Sequence, residues 1–196
     1  MSTVNAVVHL SLDGVMQAPG RSEEDTRDGF PYGGWAGPYG DHVLGEFMGR
    51  GMSTPSAMLF GRRTYEDFHH VWHGRDDGNP FTPVLDAATK YVVTRTLSDP
   101  LPWANSIALR GEAAQTVARL RETSPLPLTV LGSGELLRTL LRHDLVDELV
   151  LTFHPLVLGQ GRRLFDDDLP RLPLTLVESV TTTTGVVVGR WRRTRT

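Results

Sequence analysis

The chain has 196 residues, a net charge of −3 and no cysteine. That length suits a single domain, 1–196, with a full core; the charge offers no basic stripe for nucleic acid, and disulfides, thiol nucleophiles and cysteine-ligated zinc are excluded. The opening residues lack a signal peptide's basic start and long apolar run, and no apolar stretch reaches membrane-spanning length, so the expectation is a cytoplasmic protein with no membrane partner.

In chain order, residues 4–10 read as a first strand, ended by the turn Ser11-Leu12-Asp13-Gly14. Residues 17–40 are rich in glycine, proline and charge with aromatics interspersed, and a loop this long in a compact domain is usually functional. Residues 41–52 predict a weak helix, and 57–60 a short strand running into Gly61-Arg62-Arg63-Thr64 and a helix with Tyr65, Phe68 and Trp72 at helical spacing. Residues 73–88 read as a second polar loop. Strands are predicted at 90–94, 106–109, 126–131, 146–153, 174–182 and 186–193, and helices at 112–122 and 135–143. Strands alternating with helices, then a closing hairpin, predict an α/β sheet, mostly parallel, with an antiparallel edge.

Three predicted strand ends carry Gly, Arg or Ser/Thr: 61–64, 94–96 and 132–135. Ligands of such sheets bind beyond the carboxyl ends of the strands. In the third, Gly132-Ser133-Gly134 stands between a strand and a helix. Free N–H groups and the positive end of the dipole make such a helix start an anion site, for which a nucleotide phosphate is the obvious guest; a plain turn is the alternative. No third glycine and no acidic strand end about 20 residues on complete a Rossmann fingerprint. The histidines show no metal-binding spacing, so no metal is expected; Asp166-Asp167-Asp168 reads as a solvated turn.

The segments SLDG, LFGRRTYEDF, KYVVTRTL and LTVLGSGELLRTLLRHDLVDELVLTFHPLVLGQGRRLF occur in that order. In this the chain resembles the dihydrofolate reductase superfamily, in particular the branch with the reductase domain of riboflavin biosynthesis. The resemblance implies a three-layer α/β/α sandwich around a mixed sheet of about eight strands, NADPH as hydride donor, a small flat unsaturated substrate such as a pterin or pyrimidine, and a homodimer. It places Gly61 and Thr64 at the pyrophosphate, Arg62 or Arg63 at the 2′-phosphate, Thr94 and Arg95 at a second adenosine-phosphate contact, and Gly132, Ser133, Gly134 and Glu135 against the pyrophosphate. A guanidinium fork suits a phosphate.

On the catalytic side the family position gives Glu46 as proton source, then Asp41. Asp13 lies near the expected nicotinamide end, where it serves either the chemistry or its own turn. Trp35, Tyr39 and Trp72 are candidates to wall a flat heterocycle, although Trp72 at helical spacing also reads as core. Without cysteine the chain has no zinc-deaminase signature, so a stand-alone reductase domain is expected. A ligand-binding protein without turnover and a flavin-using reductase are the competing readings.

Overall fold

Val4, Ala6, Val8 and Leu10 alternate into buried positions, which is what a strand with one inward face requires. From this first strand the computed structural model describes residues 1–76 and 78–195. The elements are β1 (Val4–Ser11), α1 (His42–Ser53), β2 (Ala57–Gly61), α2 (Arg62–Trp72), α3 (Phe81–Ala87), β3 (Lys90–Val93), β4 (Ser106–Leu109), α4 (Ala113–Thr123), β5 (Leu128–Leu131), α5 (Gly134–Arg142), β6 (Glu148–His154), β7 (Leu174–Thr181) and β8 (Val187–Arg193). The strands form one eight-stranded sheet in the order β4-β3-β2-β5-β1-β6-β8-β7. It is mixed: β4, β3, β2 and β5 pair parallel, while β8 runs antiparallel to β6 and β7.

The polar loop expected at 73–88 is corrected by α3. Asn79 Oδ1 accepts the Phe81 amide at 3.0 Å, and Pro83 falls in the first turn, where its missing N–H costs nothing. Leu85 is buried and Phe81 packs on the core beside it. Two prolines and a polar approach hide this short apolar face from a periodicity argument. β5 starts two residues later than predicted, since Pro127 has no amide to give; its carbonyl accepts the Ala57 N–H instead.

The chain divides into two compact units, Met1–Ala6 with Met52–Val146, and Val7–Gly51 with Asp147–Thr196. The first has a core of Met58, Phe60, Tyr65, Leu85, Val92 and Trp103. On α5 the stripe Leu136, Leu137, Leu140 and Leu141 is buried as its spacing predicts, each leucine contributing about 1.5–3 kcal/mol. Lys90, the only lysine, is fully buried. Its ammonium donates to the carbonyls of Asp86, Ala88 and Ala104 at 2.8–3.1 Å and lies 4.5 Å from the Trp103 ring centroid. Burial pushes its pKa down to about 8, against the opposing pull of Asp86.

In the second unit, the long loop after β1 has its own small core of Val15, Ala18, Phe30 and Trp35, while Phe47, Val186 and Val188 form another. Residues 158–164 strap residues 13–17: Leu164 N–H donates to Gly14 O and Met16 N–H to Arg162 O, with a bridge between Val15 and Arg163. The strap passes at Gly161 (φ +117°), where a Cβ would stand 2.7 Å from Phe30 and Val15, so only glycine fits.

Candidate functional site

In the first unit the parallel register aligns the strand ends. Gly61 of β2 stands opposite Val93 of β3, and Val93 opposite Leu109 of β4, so Arg62 and Thr94 both follow immediately beyond the same sheet edge. β2 also pairs parallel with β5, which ends just before Gly132. Two helices begin at these ends, α2 from Gly61 and α5 from Ser133, and neither N-cap residue makes a side-chain capping bond. Their first N–H groups therefore point past the sheet edge without a capping side chain, the arrangement that favours an anion.

The two turns are tied together. Ser133 Oγ accepts the Gly61 N–H at 3.0 Å, and Thr64 Oγ1 accepts the Ser133 N–H at 3.2 Å. Gly132 and Ser133 are both left-handed, with φ of 59° and 52°. Glycine takes that conformation freely and serine takes it at a cost that the Thr64 bond offsets. Ser133 and Thr64 thus hold the two helix starts in register, with Gly134 opening α5. The Thr94 hydroxyl oxygen accepts the amides of Thr96 and Leu97, shaping the turn that presents Arg95. The arginines differ: Arg62 pairs with Glu66 one turn along its helix, at 2.9 Å, and Arg63 pairs with Glu135 at 3.3 Å. Arg95 is exposed and has no side-chain partner among the described residues.

The predicted carboxylates belong to the second unit and do different jobs. Asp13 accepts the Ser11 hydroxyl and the amides of Leu158 and Gly159, and pairs with Arg163 at 3.1 Å. Burial alone would raise its pKa, but the Ser11 and amide bonds hold it down at about 2. Asp41 accepts the hydroxyl and amide of Thr183 and the amide of Leu44 near the start of α1; these bonds, the Thr183 hydroxyl foremost, hold it at about 2 as well. Both therefore carry fold contacts of their own, Asp13 to the strap and Asp41 to Thr183. Glu46 is exposed on α1 and has no partner among the described residues.

Of the candidate aromatics, Trp72 packs on the core of the first unit with the Arg75 guanidinium over its ring. Trp35 is buried, and its indole N–H donates to Gln17 O at 2.7 Å. Its ring and that of Tyr39 stand nearly perpendicular to the imidazole of His154, with centroids 5.2 and 5.6 Å away.

That histidine belongs to a pair which spacing arguments pass over, because His9 and His154 lie 145 residues apart in the chain. His9 Nδ1 lies 3.0 Å from His154 Nε2 and 2.9 Å from Thr152 Oγ1. Burial, with repulsion from His154, lowers the pKa of His9 to about 4, and burial lowers that of His154 to about 4. Both rings are neutral at pH 7. The unfolded chain takes up these two protons below pH 6.5 and the folded one only near pH 4. The pair should therefore leave stability unchanged above pH 6.5 and erode it as pH falls from there towards 4. The thermal midpoint measured across that range should fall less steeply in His154→Asn than in the wild type; equal slopes would remove the pair as a source of acid sensitivity.

The profile of the RibD C-terminal domain matches residues 2–188. The chain belongs to this family. The uncharacterized protein YyaP of Bacillus subtilis is 28% identical over 133 residues, 66% of this chain and 70% of that one. A pyrimidine reductase-like protein from Corynebacterium diphtheriae superposes with a TM-score of 0.62 at 15% identity, covering all of this chain and 93% of that one. RibD of Acinetobacter baumannii superposes with a TM-score of 0.67 at 16% identity over the whole of this chain, which spans 59% of that longer one. The dihydrofolate-reductase-like fold expected from the motifs is thus shown. No group of acidic or histidine side chains fit to hold a metal is found among the described residues, and none of their helices is long and apolar enough to cross a membrane.

Proposed function

We propose that the chain is an NADPH-dependent reductase that transfers a hydride to a small unsaturated heterocycle of the pterin or pyrimidine kind. One observation carries the reading: two adjacent helix starts with no side-chain cap, locked together by Ser133 and Thr64, open beside an exposed arginine, Arg95, that has no side-chain partner among the described residues. The residues fit a dinucleotide phosphate. Gly61 and Gly132 put no Cβ over the turns, the α2 and α5 amides would take the pyrophosphate oxygens, and Arg95 would take the 2′-phosphate as a charge-assisted fork. Arg63 would offset the Glu135 carboxylate, which otherwise repels the ligand. NADPH, when bound, supplies the hydride. The protein's part is to orient the cofactor and manage one proton.

Of the three candidate carboxylates, Glu46 is the one with no fold contact among the described residues, and in this reading it is the proton source. Glu46→Gln should then lower turnover while cofactor affinity holds; unchanged turnover would remove it from the mechanism. The test of the activity itself is NADPH consumption by the purified protein against dihydrofolate, pyrimidines and flavins. Consumption above the substrate-free background identifies the substrate class, and a flat response to all of them favours a binding protein without turnover.

Homodimerisation is part of the proposal. β7 closes one end of the sheet with Leu176 and Val177 exposed, an edge suited to a partner. Size-exclusion with light scattering should give twice the chain mass, and a clean 21.7 kDa monomer would reject the dimer.

A further inference from the structure

The turn that carries Arg95 is held at both ends. At its start Thr94 is buried, and its hydroxyl oxygen accepts the Thr96 and Leu97 amides at 3.2 and 3.1 Å. This is the side-chain turn that a threonine can make with its own following backbone. At the far end Leu97 packs on the core of the first unit, and its carbonyl accepts a bond from Arg110 Nη2 at 2.7 Å. The same nitrogen donates to Asp99 Oδ2 at 3.0 Å. Register brings Arg110 to this place. Val93 of β3 stands opposite Leu109 of β4, and the Thr94 N–H donates to Leu109 O at 3.1 Å, so Thr94 and Arg110 leave the sheet side by side. Arg95 and Thr96 are the exposed residues between the two anchors.

We propose that Arg110 is a positioning residue for cofactor selectivity: it fixes the turn so that Arg95 meets the 2′-phosphate, and does not itself touch the ligand. The proposal rests on the reductase reading and deepens it, because it assigns the preference for a phosphorylated ribose to two adjacent strand ends and not to Arg95 alone. The physical reason is preorganisation. A long, rotamer-rich side chain keeps the energy of its phosphate contact only if its backbone is already held in place. Arg110 also neutralises Asp99, which would otherwise stand as a lone carboxylate on the segment that is to receive an anion. The Arg110–Asp99 pair is 44% and 63% exposed, so it contributes little to stability. Arg110→Ala should therefore fold, and its effect should show in binding.

The test has two arms, both on the full chain. In the first, NADPH and NADH are titrated calorimetrically into the wild type, Arg110→Ala, Arg95→Ala and the double variant. Arg110→Ala should weaken NADPH by about threefold or more and leave NADH within about twofold. In the Arg95→Ala background it should change neither, because the contact that it positions is gone. A further loss of NADPH in the double variant would mean that Arg110 meets the phosphate itself or acts through its charge, and overturns the positioning role. NADPH binding unmoved by Arg110→Ala, or equal weakening of both cofactors, overturns it as well. The second arm needs no cofactor. Hydrogen exchange at the Thr96 and Leu97 amides should be about threefold or more faster in Arg110→Ala than in the wild type, and unchanged exchange overturns the anchor. Equal binding of NADPH and NADH by the wild type is a failure of the reductase reading's phosphate site, and takes the selectivity role with it; the exchange arm still decides by itself whether Arg110 holds the turn.

Discussion

Replacing Arg95 with alanine is expected to weaken NADPH binding by about tenfold or more and to leave NADH within about twofold. The figure follows from removing a charge-assisted contact, about 1.5–3 kcal/mol, when every 1.4 kcal/mol is about a factor of ten. Arg95 is suited to this selectivity because it is exposed, on a turn shaped by the Thr94 hydroxyl, and among the described residues its guanidinium has no side-chain bond to break before it meets a phosphate. Arg63 should behave differently. It is paired with Glu135 at the start of α5, so Arg63→Ala leaves a carboxylate uncompensated where the pyrophosphate would lie. That repulsion acts on both cofactors alike. Arg62, paired along its own helix with Glu66, should matter least. Calorimetric titration of the three variants with both cofactors separates the roles. Equal weakening of NADPH and NADH by Arg95→Ala would sink the 2′-phosphate assignment.

Trp103→Ala should destabilise the protein by about 3–5 kcal/mol, the usual range for truncating a large buried aromatic. Trp103 is 1% exposed and packs in the cluster that fixes α2. Its backbone N–H donates to the Tyr65 hydroxyl at 3.0 Å, and its indole N–H to Asp86 at 2.6 Å. Its ring also faces the buried Lys90 ammonium. The substitution removes the volume, the Asp86 bond and the π face together, and leaves a buried charge with three carbonyls but no ring. Urea unfolding should show the lower midpoint. A change below about 1 kcal/mol would mean that the ring's burial contributes little, contrary to the packing argument.

Much of the fold can be read directly from the chain. Alternation marks β1, and the four leucines of α5 mark a helix face because their spacing is helical and all four are buried. What escapes the sequence is long-range. Gly132-Ser133-Gly134 reads as a loose phosphate turn, whereas Ser133 is a strut to Gly61 and Thr64 some 70 residues away, at separations of 72 and 69. Asp13 reads from its place after β1 as serving either the chemistry or its own turn, and its bonds to a strap 145 and 146 residues further on are invisible to that reading. His9 and His154 belong to no local motif, and only the sheet places their rings together. The alternation in 4–10 does put His9 on the face opposite Val8 and Leu10, which is the one signal that sets it apart. α3 was hidden for a local reason, two prolines in a segment whose apolar face is only three residues wide.

The central claim is that the sheet edge of the first unit holds NADPH. Calorimetric titration of the purified protein with NADPH and then NADH tests it most directly. Micromolar binding of NADPH with NADH at least about tenfold weaker is the predicted result. No binding of either, or equal binding of both, would contradict the account.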